Sequence, residues 1–139
     1  MGLLPKMTVT VRALLIIGWL LGLFGVARSD PNTKVRSVLC NSGVYTKGDP
    51  FTISLAYVIA DLETSTPSSK GYDYHNISPY PNAFAYGHGA CNKNLTSSDC
   101  GICLAAAKTA MFGACGSRIG ARSVLYDCTI RYEQYPFDD

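Results

Sequence analysis

The chain has 139 residues, with 12 Lys+Arg, 10 Asp+Glu and six Cys; 47% of its residues are apolar and 16% are charged. That length suits one domain, and the composition excludes extended disorder, a collagen-like chain and an acidic-tail protein. The formal net charge of +2 does not describe the folded domain, because part of it sits in the N-terminal segment.

That segment has the layout of a secretory signal peptide. Residues 1–12 carry Lys6 and Arg12 and no acid, Ala13 to Val26 are 14 residues without a charge, and Ala27-Arg28-Ser29 places small residues where a signal peptidase reads. As a helix the uncharged run spans about 21 Å, short of a bilayer core of about 30 Å, which argues against a retained anchor. Residues 1–29 are therefore expected to be a cleaved signal and residues 30–139 a single secreted domain without a stable membrane anchor. Cleavage removes Lys6, Arg12 and Arg28, leaving 9 basic against 10 acidic residues and a net charge of −1. A cationic membrane-lytic peptide and a nucleic-acid binder both need a positive field, so neither class fits.

In chain order, Lys34 to Leu39 alternates and reads as a first strand leading into Cys40. Gly43 to Gly48 is turn-rich. Asp49-Pro50 offers an N-cap and a proline at the first helical position. Phe51, Leu55, Val58, Ile59 and Leu62 then form one apolar stripe on a helix of about three turns. Thr64 to Lys70 breaks it, Gly71 to Tyr74 suits a short strand, and Asn76 to Asn82, with two prolines, reads as a loop. Ala83 to Cys91 is a strand whose Gly87 and Gly89 suggest a bulge or a close backbone approach. Thr96-Ser97-Ser98-Asp99 resembles a capping box and opens a second helix, with Cys103, Ala107, Ala110, Met111 and Ala114 on one face. Arg122 to Tyr135 reads as two antiparallel strands with the turn at Asp127-Cys128. In that register Arg122 faces Glu133 directly.

The cysteines stand at 40, 91, 100, 103, 115 and 128, all beyond the signal. An even number in a small secreted chain reads as three disulfides, and spacing alone leaves 15 pairings open. A redox pair at Cys100-Gly101-Ile102-Cys103 lacks its usual βαβ context. A zinc site from Cys91, Cys100, Cys103 and either Cys115 or His88 suits an oxidising compartment poorly. No GxSxG, HExxH or phosphate-binding loop is present, so no enzyme activity, metal or cofactor is expected.

Cys91-x8-Cys100-x2-Cys103 is the spacing of a plant secreted cysteine-rich domain. Cys40-Asn41, Gly71-Tyr72-Asp73-Tyr74, Ala85-Tyr86-Gly87, Ser98-Asp99-Cys100, Ile119-Gly120-Ala121-Arg122 and Tyr132-Glu133-Gln134 follow the same pattern in order. With these flanks the chain resembles the ginkbilobin-like antifungal family, whose domain also occurs in cysteine-rich receptor-like kinase ectodomains. The resemblance covers about Val35 to Phe137. It implies an α+β fold, a five-stranded antiparallel sheet with two helices packed on it, and the bridges Cys40–Cys115, Cys91–Cys100 and Cys103–Cys128.

The resemblance also implies a mannose site. A hexose presents hydroxyls that both donate and accept, and an amide, a guanidinium and a carboxylate can share them. The matching positions are Asn41, Arg122 and Glu133. The plainer reading of the same residues is a cross-strand ion pair and a turn asparagine. Asn94-Leu95-Thr96 is a glycosylation sequon ahead of the second helix; Asn76-Ile77-Ser78 is a weaker one because Pro79 follows. The expectation is a secreted, apoplastic defence lectin that binds mannose or mannan-type glycans, including those on fungal surface glycoproteins, and inhibits fungal growth. The alternative is an apoplastic protein-interaction module, such as an ectodomain-like partner or a hydrolase inhibitor, that binds no sugar.

Overall fold

The computed structural model describes residues 30–139; the signal-peptide expectation for residues 1–29 lies outside the described residues. Five strands, β1 (Val35–Cys40), β2 (Asp73–Ser78), β3 (Ala85–Cys91), β4 (Ala121–Leu125) and β5 (Cys128–Glu133), form one sheet in the order β1-β4-β5-β3-β2. Every pairing is antiparallel. Helix α1 (Phe51–Ser65) packs over β2 and β3, and α2 (Ser97–Cys115) packs over β1, β4 and β5. The three bridges are those the resemblance implied, Cys40–Cys115, Cys91–Cys100 and Cys103–Cys128.

Each helix starts where its sequence directs. The Asp49 carboxylate accepts from the Phe51 amide at 2.9 Å, and Pro50 already has helical dihedrals, so Asp49 acts as the N-cap of α1. The apolar stripe Phe51, Leu55, Val58, Ile59 and Leu62 is buried as expected. At α2 the Thr96 hydroxyl accepts from the Asp99 amide at 3.1 Å. The buried face of α2 is Cys100, Cys103, Leu104, Ala107, Met111 and Cys115, whereas Ala114 is exposed and Ala110 half-buried. Three bridged cysteines, at 100, 103 and 115, lie on that face together with Ala107 and Met111 of the expected stripe, and only the alanines at 110 and 114 fall outside it.

The close approach expected at the β3 glycines is present. A Cβ on Gly87 would strike Val58 of α1 and the Asn76 side chain, and one on Gly89 would lie 2.7 Å from the Thr66 hydroxyl. Polar ties finish the α1–sheet contact. The Ser54 hydroxyl donates to the Ser78 carbonyl at 2.7 Å, and Asp61 accepts from the Tyr74 hydroxyl at 2.7 Å and the Asn76 amide at 3.0 Å. Burial works against ionisation of Asp61, but hydrogen bonds from Asn76, Tyr74 and Ser65 hold its carboxyl below the ordinary value. Those bonds also correct the reading of Asn76 as a loop residue: β2 runs through Ser78, and Gly71-Tyr72 lies in a 3-10 turn instead of a strand. With its amide engaged by Val58 and Asp61, Asn76 is a structural residue.

The final hairpin differs from expectation by one turn position. Tyr126-Asp127, not Asp127-Cys128, forms the turn, so Arg122 pairs with Arg131, and Glu133 pairs with Tyr86 of β3. The cause is Cys128, which is drawn into the sheet opposite Cys91 and bridged to Cys103. Asp127 stays in the turn, where its carboxylate accepts from the Asn32 amide at 2.6 Å and its carbonyl from the Asn92 amide at 2.8 Å. Because side chains alternate with period two, the register moves by two and leaves Arg122 and Glu133 on one face.

The bridges close loops of very different length, with sequence separations of 75, 25 and 9 residues for Cys40–Cys115, Cys103–Cys128 and Cys91–Cys100. Chain entropy assigns them about 4.5, 3.5 and 2.5 kcal/mol respectively. Paired Cys→Ala variants should lose stability in that order in urea unfolding. A largest loss at Cys91–Cys100 would show that burial and local strain outweigh chain entropy here.

Candidate functional site

Both helices lie on one face of the sheet. The alternation that buries Ile130 and Tyr132 against them sends Arg131 and Glu133 to the other face. The register then lines up a row across the strands: Leu39 beside Arg122, Arg122 beside Arg131, Arg131 beside His88, and His88 beside His75. This helix-free face is where the polar chemistry gathers.

At its β1–β4–β5 end a cleft of about 270 Å³ is lined by Leu39, Asn41, Arg122, Arg131, Glu133 and Tyr135. All three residues of the expected sugar site are among them. Asn41 sits just past β1, anchored by its amide to the Gly120 carbonyl at 2.9 Å. Its Oδ1 accepts from the Gly43 amide at 3.0 Å in an Asx turn, so its Nδ2 is the group left for the cleft. Arg118 braces this turn by donating to the Asn41 carbonyl at 2.9 Å.

Glu133 is buried, and its carboxylate rests against the backbone at Gly120, where any Cβ would collide with it. Gly120 is thus required by a side chain packed on it. The ion partner of Glu133 is Arg131, with Nε 3.5 Å from Oε1, not Arg122. The expected Arg122–Glu133 ion pair is therefore corrected by the register. Among the described residues, Arg122 Nε and Glu133 Oε2 are both buried without a hydrogen-bond partner. Desolvation pushes the Glu133 carboxyl above its ordinary value, opposed more weakly by Arg131, Asn41 and Tyr135.

Sequence reasoning missed Arg131 and the segment after β5. Residues 135–139 fold back so that Arg131 Nη1 donates to Asp139 at 2.6 Å and its guanidinium lies 4.0 Å from the Phe137 ring centre. Burial opposes ionisation of Asp139, but the bond and charge of Arg131, with His88 and Arg122 adding to them, hold its carboxyl below the ordinary value. Asp139 in turn approaches His88 Nδ1 at 3.4 Å, and His88 Nε2 lies 2.6 Å from Asp73 Oδ1. Only the alternation of Arg131 with the buried Ile130 and Tyr132 could have signalled this. Asn94 is exposed in the turn before α2, and its sequon hydroxyl on Thr96 serves as the helix cap.

The cleft combines an amide, two guanidiniums and a desolvated carboxylate with an aromatic ring at its rim.

Comparison with known proteins agrees with this fold. Residues 39–135 match the Stress-antifung family, described as salt stress response/antifungal. The chain belongs to this family. It is 40% identical over 111 residues to the antifungal protein ginkbilobin-like protein 1 of Picea sitchensis, covering 78% of this chain and 83% of that protein. It is 38% identical over 108 residues to the antifungal protein ginkbilobin-2 of Ginkgo biloba, covering 76% and 80%. The tandem ectodomain of the Arabidopsis thaliana cysteine-rich receptor-like protein PDLP5 superposes with a TM-score of 0.68 at 18% identity. That match covers 75% of this chain and 51% of the ectodomain, and it shows the shared fold. The two curated relatives are both named as antifungal proteins, in line with the family's description. No helix among the described residues is long and apolar enough to cross a membrane.

A carboxyl whose folded pKa lies above its ordinary 4.5 weakens the fold at pH above the folded value and stops doing so below the ordinary one. Glu133→Gln should therefore raise the thermal midpoint at about pH 7. The gain should shrink as pH falls and be gone at about pH 4. A loss of stability at neutral pH would mean that the Arg131 pair outweighs the desolvation of Glu133.

Proposed function

We propose that this chain is a secreted defence lectin whose Asn41–Arg122–Glu133 cleft binds mannose-type glycans and that it restricts fungal growth. The supporting observation is that these three residues, distant in sequence, line one small polar cleft while Arg122 makes no ion pair among the described residues. A purely structural arginine on a sheet face would be expected to pair with the nearest carboxylate. Here Arg131 takes that role, leaving Arg122 for an incoming hydroxyl pair. Glu133 accepts from sugar hydroxyls, Asn41 Nδ2 donates to them, and Tyr135 offers a ring to the apolar edge of the pyranose. The antifungal role rests on the family and on relatives named as antifungal proteins. Secretion rests on the N-terminal signal pattern and on three disulfides.

A site this small and open holds a single sugar weakly, so useful affinity comes from polymeric mannan or several copies of the protein. A second reading has its own support. Ile53, Tyr57, Ile77 and Tyr80 are exposed around an apolar groove of about 470 Å³, a surface suited to a protein partner in an interaction module that binds no sugar.

Calorimetric titration of the oxidised protein with mannose and yeast mannan should give saturable heat that is lost, by about tenfold or more in affinity, in Arg122→Ala and Glu133→Ala. Growth inhibition of a mannan-bearing yeast should fall in the same variants. Absence of heat with both ligands from protein shown to carry three bridges would overturn the lectin reading and favour the apolar groove.

A further inference from the structure

At the opposite end of the helix-free face, β2 and β3 bring together three side chains that the sugar cleft does not use. His75 and His88 are direct cross-strand partners, and Asp73 lies one pleat away on the same face. Asp73 Oδ1 is 2.6 Å from His88 Nε2 and 3.8 Å from His75 Nδ1, and the three donor atoms all lie within 4.8 Å of one another. The imidazole rings stack at 3.9 Å with an interplanar angle of 6°.

From this geometry we infer that Asp73, His75 and His88 form a binding site for a borderline divalent transition metal, with Zn²⁺ or Cu²⁺ as the class of ion. Metal–ligand bonds of about 2.0–2.2 Å in a tetrahedral site place the donor atoms about 3.3 Å apart. The two measured separations from Asp73 straddle that value, and parallel stacked rings cannot both point their in-plane lone pairs at one ion, so binding requires the His75 ring to turn out of the stack as well as shifts of about 0.5–0.7 Å in these distances. The ion displaces the proton shared between His88 Nε2 and Asp73. His75 is the adjustable ligand, since its side chain is 52% exposed while that of His88 is 6% exposed. Asp73, 59% exposed, leaves the site open to an entering ion and to water as a fourth ligand.

The second observation is what holds His88. Its other ring nitrogen, Nδ1, faces Asp139 Oδ2 at 3.4 Å, and Asp139 is itself fixed by Arg131 at 2.6 Å. A carboxylate behind the non-ligating nitrogen is the arrangement that sets the tautomer and orientation of metal-binding histidines. Two imidazoles with one carboxylate select Zn²⁺ or Cu²⁺ over Ca²⁺ and Mg²⁺, which prefer all-oxygen shells. The bland competitor is a buried histidine paired with two carboxylates and capped by a stacked neighbour. That arrangement has no use for an open edge of donors, and it predicts no saturable metal binding.

The test is calorimetric titration of untagged, chelator-stripped, oxidised protein with zinc chloride, alongside histidine ring NMR. One equivalent of Zn²⁺ should bind in the micromolar range, shifting the His75 and His88 ring signals and resisting excess Mg²⁺. His75→Ala, at an exposed position where folding is checked by circular dichroism, should abolish binding. Asp139→Asn should weaken it by about tenfold. Excess mannose should leave it unchanged, so failure of zinc binding and failure of sugar binding are read separately. No saturable binding, or binding that survives His75→Ala, would overturn the site.

Discussion

The structure depends on a one-sided core. A domain of this size forms a single core, and it lies between one face of the sheet and two helices. Tyr132, Ile130, Leu104, Met111 and Val58 are fully buried there, with Tyr132 between the Phe51 and Phe112 rings and its hydroxyl donating to the Arg118 carbonyl at 2.7 Å. The opposite face has no helix over it. Strand alternation then obliges that face to carry the polar partners of the core residues. Arg122, Arg131, Glu133, His88 and Asp73 are polar neighbours because Ser123, Ile130, Tyr132, Gly87 and Gly89 are core neighbours.

The disulfides set the register that makes this useful. Cys128 is held opposite Cys91 and tied to Cys103, which pins the start of β5 and hence the position of Glu133 five residues later. Cys40–Cys115 holds the end of β1 against the end of α2, so Asn41 enters beside Gly120. The cleft therefore stands at the meeting point of two bridge-anchored strand ends. Its burial of a carboxylate against bare backbone is a local expense of stability of the sort that binding sites carry.

Electrostatics join the two ends of the open face. Asp73, His88, Asp139, Arg131 and Glu133 alternate acid and base through contacts of 2.6, 3.4, 2.6 and 3.5 Å. Arg131 sits at the centre, satisfying Asp139 and Glu133 together while covering Phe137. It relieves Arg122 of the pairing that simple cross-strand reasoning assigned to it, and that relief gives the cleft a guanidinium without an ion partner. The fold-back of residues 135–139 supplies half of this network, by contacts far from where periodicity operates.

The sequence by itself determined both helices, most of the strands and which residues could serve as staples. The stripe on α1, the Asp49 and Thr96 caps and the β3 glycines are local signals, read from residues within a few positions of one another. The family pattern of cysteines carried the bridges and the sheet, and with them Asn41, Arg122 and Glu133. Tertiary structure decided what those residues do to one another. The turn at Tyr126-Asp127 follows from Cys128 being drawn to a distant strand, a constraint invisible in the hairpin's own residues. Asn76 and Arg118 look like surface residues until α1 and Asn41 are placed against them. The union of His75 with His88, and of Arg131 with Asp139, requires strand pairing across the sheet and a returning tail. Local chemistry chose the parts; long-range register decided which of them meet.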